Sequence, residues 1–552
     1  MNASPSPDEP SAEVPTRTVG LTVDGRDVEV VDDGISLLDA LRGPLGVHSV
    51  KDGCSPQGQC GCCTVLVDGT PRVACVTPLR RVAGRSVVTL DGLESDARSR
   101  WVDAFVEHGA SQCGFCTPGI IVRLDAVRAK GGDVRPGAVD RALAAHLCRC
   151  TGWQTIVEAA DAVLSGSTPV EVGPRDLDAA ARRATLELGA PQQVGERVVL
   201  GAVGFSADTA PADALIAVPV PGSDDWVVGE SLVEARRAAG KVQGRRTTVD
   251  PVPPLEVPDG DWDLTLRTGW VDAAYVETDS SWCVPGGDPS PAAANGGAFG
   301  AKRHSPLPAV ARRLADEHGR AVLAQWSRED CSRSAPKRPP VAAGIRSDGT
   351  GVIHVVRTEG IAERIRAAAP GLEVVELDVA GPPTSVTLRG AGWAEAVVLV
   401  AGVGAPSEVV SVESGRVGDP AGDGERVVVR TAEGAVAEAS IGADGIHVRA
   451  AGGEVLDPVV LRSYCIGAAH MAFGWVTSEG VAVDAEGSVL DLTVRSLGVL
   501  KAAETPSITV ELVDSDGPPV RVSDAVFAAV AAATWRSLGT PPDWPAGIPS
   551  NL

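Results

Sequence analysis

Gly53-Cys54-Ser55-Pro56-Gln57-Gly58-Gln59-Cys60-Gly61-Cys62-Cys63-Thr64 places Cys54, Cys60 and Cys63 on one short loop, and the chain returns a further thiol at Cys75. The spacing C-x5-C-x2-C-x11-C is that of a plant-type [2Fe–2S] ferredoxin with one residue added in the first gap. Such a loop must curl its thiolates around a cluster while backbone N–H groups point at the sulfides. Gly58 and Gly61 suit it, because glycine tolerates positive φ and close backbone approach. A second set, Cys113, Cys116, Cys148 and Cys150, reads C-x2-C-x31-C-x-C, and its halves must be joined by the fold.

Other uses of cysteine fit less well. Zinc sites favour C-x2-4-C pairs at both ends, which neither set shows. A thioredoxin-like pair needs a strand before Cys113-Gly-Phe-Cys116, and none is expected there. Residues 1–16 are polar and Pro-containing, read as a disordered leader, and lack the apolar segment of a secretory signal. The expected location is therefore cytoplasmic, where clustered thiols bind metal or do redox chemistry rather than pair as disulfides. Cys62, Cys283, Cys331 and Cys465 are left over and read as small buried hydrophobes.

A chain of 552 residues should hold several domains. Its net charge of −23 argues against a nucleic-acid or anionic-membrane partner. No apolar run is read as long enough to cross a bilayer.

Two hairpins are legible from alternation around Asp-Gly turns: residues 18–31 about Asp24-Gly25, and Thr64 to Cys75 about Asp68-Gly69. A short helix from Ser36 to Arg42 lies between them. From about Asp96 the period becomes helical. Trp101, Phe105 and Val106 share a face, Thr117 is placed to cap a helix opening with Pro118, and further helices are expected from about Pro136 to His146 and from Trp153 to Leu164.

Gln59-Cys60-Gly61-Cys62-Cys63-Thr64-Val65-Leu66-Val67-Asp68-Gly69, Gln112-Cys113-Gly114-Phe115-Cys116-Thr117-Pro118-Gly119 and Leu147-Cys148-Arg149-Cys150-Thr151-Gly152-Trp153 resemble the iron–sulfur subunit of the xanthine dehydrogenase/aldehyde oxidase family of molybdenum hydroxylases. The resemblance implies an α+β multidomain chain. Residues 17–92 would form a β-grasp [2Fe–2S] ferredoxin domain, residues 93–167 a four-helix [2Fe–2S] domain, and residues 168–552 an α/β molybdopterin-binding-like region. It also implies that the helical domain's cluster lies nearer the molybdopterin and that the ferredoxin cluster passes electrons on to a flavin.

Within 168–552, several fragments are similar to the family's molybdopterin-binding subunit and fall in its order: Leu188-Gly189-Ala190-Pro191, Gly296-Gly297-Ala298-Phe299-Gly300-Ala301-Lys302, Trp326-Ser327-Arg328-Glu329, Leu388-Arg389-Gly390-Ala391-Gly392 and the stretch Gly467 to Gly474. By resemblance, Gly296, Gly297, Phe299, Gly300 and Arg389 are the candidate molybdopterin contacts. The departures weigh against full chemistry. The glycine-rich stretch bearing the family's general-base glutamate is replaced by Asp514 to Asp524, and no Glu follows Glu511. Two glycines of the cofactor loop are Ala298 and Ala301, and a glutamine position is Met471. His470 reads as a structural histidine. No catalytic residue is assigned, with Glu479 and Asp524 the substitutes to consider.

Two readings follow. In one, the chain is the iron–sulfur electron-transfer component of a molybdenum hydroxylase, with a degenerate C-terminal scaffold. In the other, it is a self-contained molybdopterin hydroxylase of an aldehyde or N-heterocycle. No G-x-G-x-x-G follows a strand, and residues 165–190 leave no room for a flavin domain, so no FAD is expected in this chain. The expected partners are a molybdopterin-binding catalytic subunit and an FAD subunit.

Overall fold

The computed structural model describes residues 17–131, 137–166, 175–240 and 247–549, so the leader read at 1–16 and the start of the helix read from Pro136 lie outside the described residues. The N-terminal unit opens with β1 (Arg17–Val23), β2 (Arg26–Asp32), α1 (Leu37–Arg42), β3 (Thr64–Val67), β4 (Thr70–Val73) and β5 (Ser86–Val88). The sheet order is β2-β1-β5-β3-β4, with β1 and β5 parallel and the remaining pairs antiparallel. Both hairpins turn where alternation placed them. Asp24 and Gly25 have φ of 48° and 78°, and Asp68 and Gly69 47° and 71°, the paired positive values of the tight hairpin turn. Ser36 caps α1 through a reciprocal bond with Asp39. The strand β5 escaped the pattern because three residues are too few to show a period.

Four helices follow: α2 (Ser95–Glu107), α3 (Thr117–Arg128), α4 (Ala138–Leu143) and α5 (Gln154–Ser165). The cap of α3 is Cys116 rather than Thr117, so Thr117 is the first helical residue and Pro118 the second. Nothing is lost by this shift, since a proline within the first turn has no intrahelical partner for the N–H it lacks. Trp101 and Phe105 are fully buried and meet edge-to-face at 6.2 Å.

Residues beyond 175 build three further sheets of four or five strands and one of two. The main core of this part surrounds three nearly all-apolar helices, Trp393–Val403, Pro458–Thr477 and Ser523–Ser537. The 20-residue Pro458–Thr477 corrects the expectation about apolar runs: by length and composition it could cross a membrane. Its side chains are 89% buried inside the fold over its most apolar window, as a central core helix requires. The three remaining cysteines at 283, 331 and 465 are all buried, as read. Burial pushes the Cys331 thiol up to about 12, and Cys465 rises for the same reason, so both are inert.

Candidate iron–sulfur sites

The first loop is held by contacts that only its glycines permit. Gly58 and Gly61 both have φ of 71°. A methyl group on Gly61 would lie 2.4 Å from the His146 ring, whose Nε2 is 3.1 Å from the Thr64 hydroxyl. The Leu147 N–H donates to the Cys60 carbonyl at 3.0 Å, so the two cysteine motifs are joined through backbone as well as side chains. On the other flank α3 approaches edge-on: a methyl on Gly119 would meet the carbonyl oxygens of Gly61 and Cys62 at 2.4 and 2.8 Å. Burial pushes His146 down to about 4, leaving a neutral ring between the motifs.

Within each set the thiols lie against one another, as a run in the first set and as pairs in the second. Cys54 hydrogen-bonds Cys60 and Cys75, and Cys75 also bonds Cys63. In the second set Cys116 faces Cys148, and the sulfurs of Cys113 and Cys150 are 3.6 Å apart. Among the described residues no three His, Cys, Asp or Glu side chains converge as a single-ion site. Pairs are the arrangement a two-iron cluster calls for, with two thiolates on each iron. Bonds from Cys60 and Cys75 hold Cys54 well below the ordinary thiol range, and the bond from Cys116 brings Cys148 down to about 6. Cys60 and Cys116, their partners, are pushed well up by the same bonds and by burial. These opposed shifts favour the thiolate at Cys54 and at Cys148, the form that binds metal. The donor set therefore fits two [2Fe–2S] clusters.

All four thiols of the first set are buried, and Val76, next to Cys75, covers Gly58; in the second set Cys116 and Cys148 are buried and Cys113 and Cys150 half-buried. The second set is roofed by the C-terminal region. Asn295 donates to the carbonyls of Gln112 and Cys113 at 3.1 and 3.4 Å, Gln112 donates to Ser463 at 3.1 Å, and the Trp153 indole donates to the Leu500 carbonyl at 3.0 Å. Arg149, between two of the cysteines, points away from them. It forms a two-pronged pair with Glu479 at 2.5 and 2.7 Å. From the first loop, Gln57 donates to Leu492 O at 2.6 Å and accepts from Val494 N at 3.1 Å. His146, Arg149 and Gln57 were not singled out from sequence, and Glu479 was singled out only as a substitute base and not as the partner of Arg149.

Gly296, Gly297, Phe299, Gly300 and Arg389 are brought together beside the second set, where Phe299 lies between two small recesses, one lined by Gly296 and the other by Arg389. Residues 296–300 all have positive φ, including Ala298 at 48° and Phe299 at 55°. The close approaches allowed by the glycines are taken up by this chain. A methyl on Gly300 would lie 1.8 Å from Thr387 O, one on Gly296 2.7 Å from the Cys113 Cβ, and one on Gly297 3.2 Å from the Ala190 Cβ. Arg389 lies over the Phe299 ring at 5.1 Å, its Nη1 3.4 Å from the Met471 sulfur and its Nε 3.6 Å from Asp524. Glu479 is committed to Arg149, whereas Asp524 meets Arg521 at 3.2 Å through one oxygen while its other oxygen, like the facing Arg389 Nε, is buried without a hydrogen-bond partner. The loop that would cradle a pterin is packed against its own fold, and Glu479 is not free to act as a base. The residues present do not fit that cofactor.

Family models agree with the two cysteine sets: a 2Fe-2S iron-sulfur cluster binding domain matches residues 21–81 and a [2Fe-2S] binding domain matches residues 89–161. The nicotinate dehydrogenase small FeS subunit of Eubacterium barkeri is 38% identical over 138 residues, which is 25% of this chain and 87% of that protein. The xanthine dehydrogenase iron-sulfur-binding subunit of Escherichia coli O157:H7 is 40% identical over 146 residues, 26% of this chain and 91% of that protein. Among solved structures, the aldehyde oxidoreductase from Desulfovibrio desulfuricans superposes with a TM-score of 0.71 at 16% identity, covering 97% of this chain and 99% of that one. That last likeness is one of fold, and it extends past the iron–sulfur part into the C-terminal sheets.

Proposed function

The chain belongs to the xanthine dehydrogenase/aldehyde oxidase family of molybdenum hydroxylases, and from that membership we propose that it is a two-cluster electron relay. In this reading Cys54, Cys60, Cys63 and Cys75 hold the first [2Fe–2S] cluster, and Cys113, Cys116, Cys148 and Cys150 the second. Once bound, each cluster supplies a one-electron store. The chain's own residues set its surroundings. Gly61, Gly119, His146 and Thr64 hold the two motifs in direct contact, and the neutral His146 adds no charge between them. Asn295, Gln112 and the Arg149–Glu479 pair tie the second set to the C-terminal region.

The observation that carries the reading is the gathering of eight thiols into two neighbouring sets joined by the backbone bond from Leu147 to Cys60. The proposed donor is the molybdopterin site of a separate catalytic subunit, and the proposed acceptor a flavin subunit or other carrier. Residues 168–552 serve as the scaffold that roofs the second cluster.

Iron analysis with EPR tests this. Purified protein should carry about four irons, two per cluster, and give two distinguishable signals on dithionite reduction. Cys54→Ser should remove one signal and Cys148→Ser the other. Stoichiometric zinc without visible absorption, or a single signal in the parent protein, overturns the assignment.

A further inference from the structure

Trp326-Ser327-Arg328-Glu329 is a fragment to which the relay gives no role. Ser327 caps the helix Arg328–Ser334 through a reciprocal bond with Asp330, so Arg328 stands in the first turn, where the helix dipole disfavours a cation. It is 1% exposed. Of the eight lysines and arginines buried among the described residues, seven lie 3.6 Å or less from a carboxylate oxygen. Arg328 is the exception. Its guanidinium donates to the carbonyls of Gly53 at 3.0 Å and Val276 at 2.6 Å, and lies over the Tyr275 ring at 5.7 Å. Carbonyls and a ring face solvate the charge without cancelling it, and a buried charge left uncancelled is costly. Beyond Gly53 is the first ligand set. Gly53 precedes Cys54, and a methyl group on it would sit 3.1 Å from the Cys60 sulfur and 2.8 Å from a Val276 methyl. The two residues that Arg328 grips therefore lie against each other beside a ligating sulfur.

We propose that Arg328 is the buried counter-charge of the first cluster, and that its guanidinium makes that cluster easier to reduce. The inference rests on the ligand assignment above. Four thiolates and two sulfides leave a [2Fe–2S] centre anionic, and the electron it accepts adds one more negative charge. A fixed cation nearby interacts more strongly with the reduced centre than with the oxidised one, and burial keeps salt from screening it. The effect is local to the first set. At the second, the guanidinium of Arg149 is cancelled by Glu479.

The test is an EPR-monitored redox titration of the full chain as parent, Arg328→Lys and Arg328→Gln, with iron counted in each. The parent's two signals first establish that both clusters are present, so a failure of the ligand assignment is visible before the variants are compared. Lysine keeps the charge, whereas glutamine keeps a donor for a carbonyl and loses the charge. The glutamine variant should lower the ratio of reduced to oxidised first cluster roughly tenfold at fixed potential, about 59 mV for a one-electron couple. The lysine variant should stay near the parent, and the second cluster should not move in either. An unshifted first cluster in the glutamine variant, an equal shift in the lysine variant, or an equal shift of both clusters would overturn the proposal. If glutamine costs the first cluster its iron, lysine decides. Iron retained with lysine at the parent's potential supports the counter-charge, and loss of that iron in the lysine variant makes Arg328 a structural residue and overturns the proposal.

Discussion

Arg149 and Glu479 form a buried, two-pronged ion pair across the seam between the helical cysteine unit and the C-terminal region, with N–O distances of 2.5 and 2.7 Å. The same guanidinium donates to the Ala273 carbonyl at 3.0 Å, so the residue flanked by Cys148 and Cys150 is fixed entirely by residues from the other half of the chain. Removing one partner strands the other. Glu479→Ala should cost about 3–5 kcal/mol, read as a fall in unfolding temperature. The joint replacement Arg149→Met with Glu479→Leu should recover most of that loss, because two apolar side chains leave no charge behind.

A second ionic knot makes the fold sensitive to acid. Asp208 accepts from Arg42 at 2.7 Å and from the buried Lys51. Burial raises its carboxyl, but Arg42 and Lys51 outweigh this and hold it below the usual range. A carboxyl depressed in the folded state contributes stability that is present above its unfolded value of about 4 and is lost as pH falls through the folded one. Denaturant midpoints measured from pH 6 downward should drop over that window. In Asp208→Asn this part of the drop should vanish, on top of a pH-independent loss from the stranded Lys51.

Gly467 lies mid-helix, where alanine is ordinarily better by about 1 kcal/mol. Here a methyl group would fall 1.9 Å from the Cys150 carbonyl. Gly467→Ala should therefore lower the unfolding temperature rather than raise it, and it should perturb the EPR signal of the second cluster while leaving the first unchanged. A stabilised variant with both signals intact would show that the helix does not press on Cys150.

The closed pterin loop bears on activity. Protein purified alone should hold little or no molybdenum and show no aldehyde- or purine-dependent dye reduction. A full-length molybdopterin subunit from the same cell should restore substrate-dependent bleaching of these clusters. Stoichiometric molybdenum with brisk turnover by the lone chain would revive the self-contained hydroxylase.

Much of the iron–sulfur half was legible because its signals are local. Asp-Gly turns and the cysteine intervals of the first loop each declare themselves within a dozen residues. The three-residue β5 was not, and neither was His146, whose position against Gly61 depends on a contact spanning 85 residues of chain. In the C-terminal half the fragments about Gly296 and Arg389 were found, but what they touch was not. That Gly300 faces Thr387 and Gly296 faces Cys113 is a matter of which segments lie side by side, and pattern alone does not specify it.

The seam has a consequence for dilution. Relatives named as small FeS subunits match only the cysteine-bearing 25% of this chain, and a cover supplied by a second chain would have to be recaptured after each dissociation. Here Asn295, Ser463 and Glu479 belong to the same polypeptide as the cysteines they cover. Tethering makes that recapture intramolecular, with a local concentration on the order of millimolar at any protein concentration. The second cluster should therefore keep its roof in extracts so dilute that a two-chain version would have come apart, and its resistance to air and chelators should not depend on how much protein is in the tube.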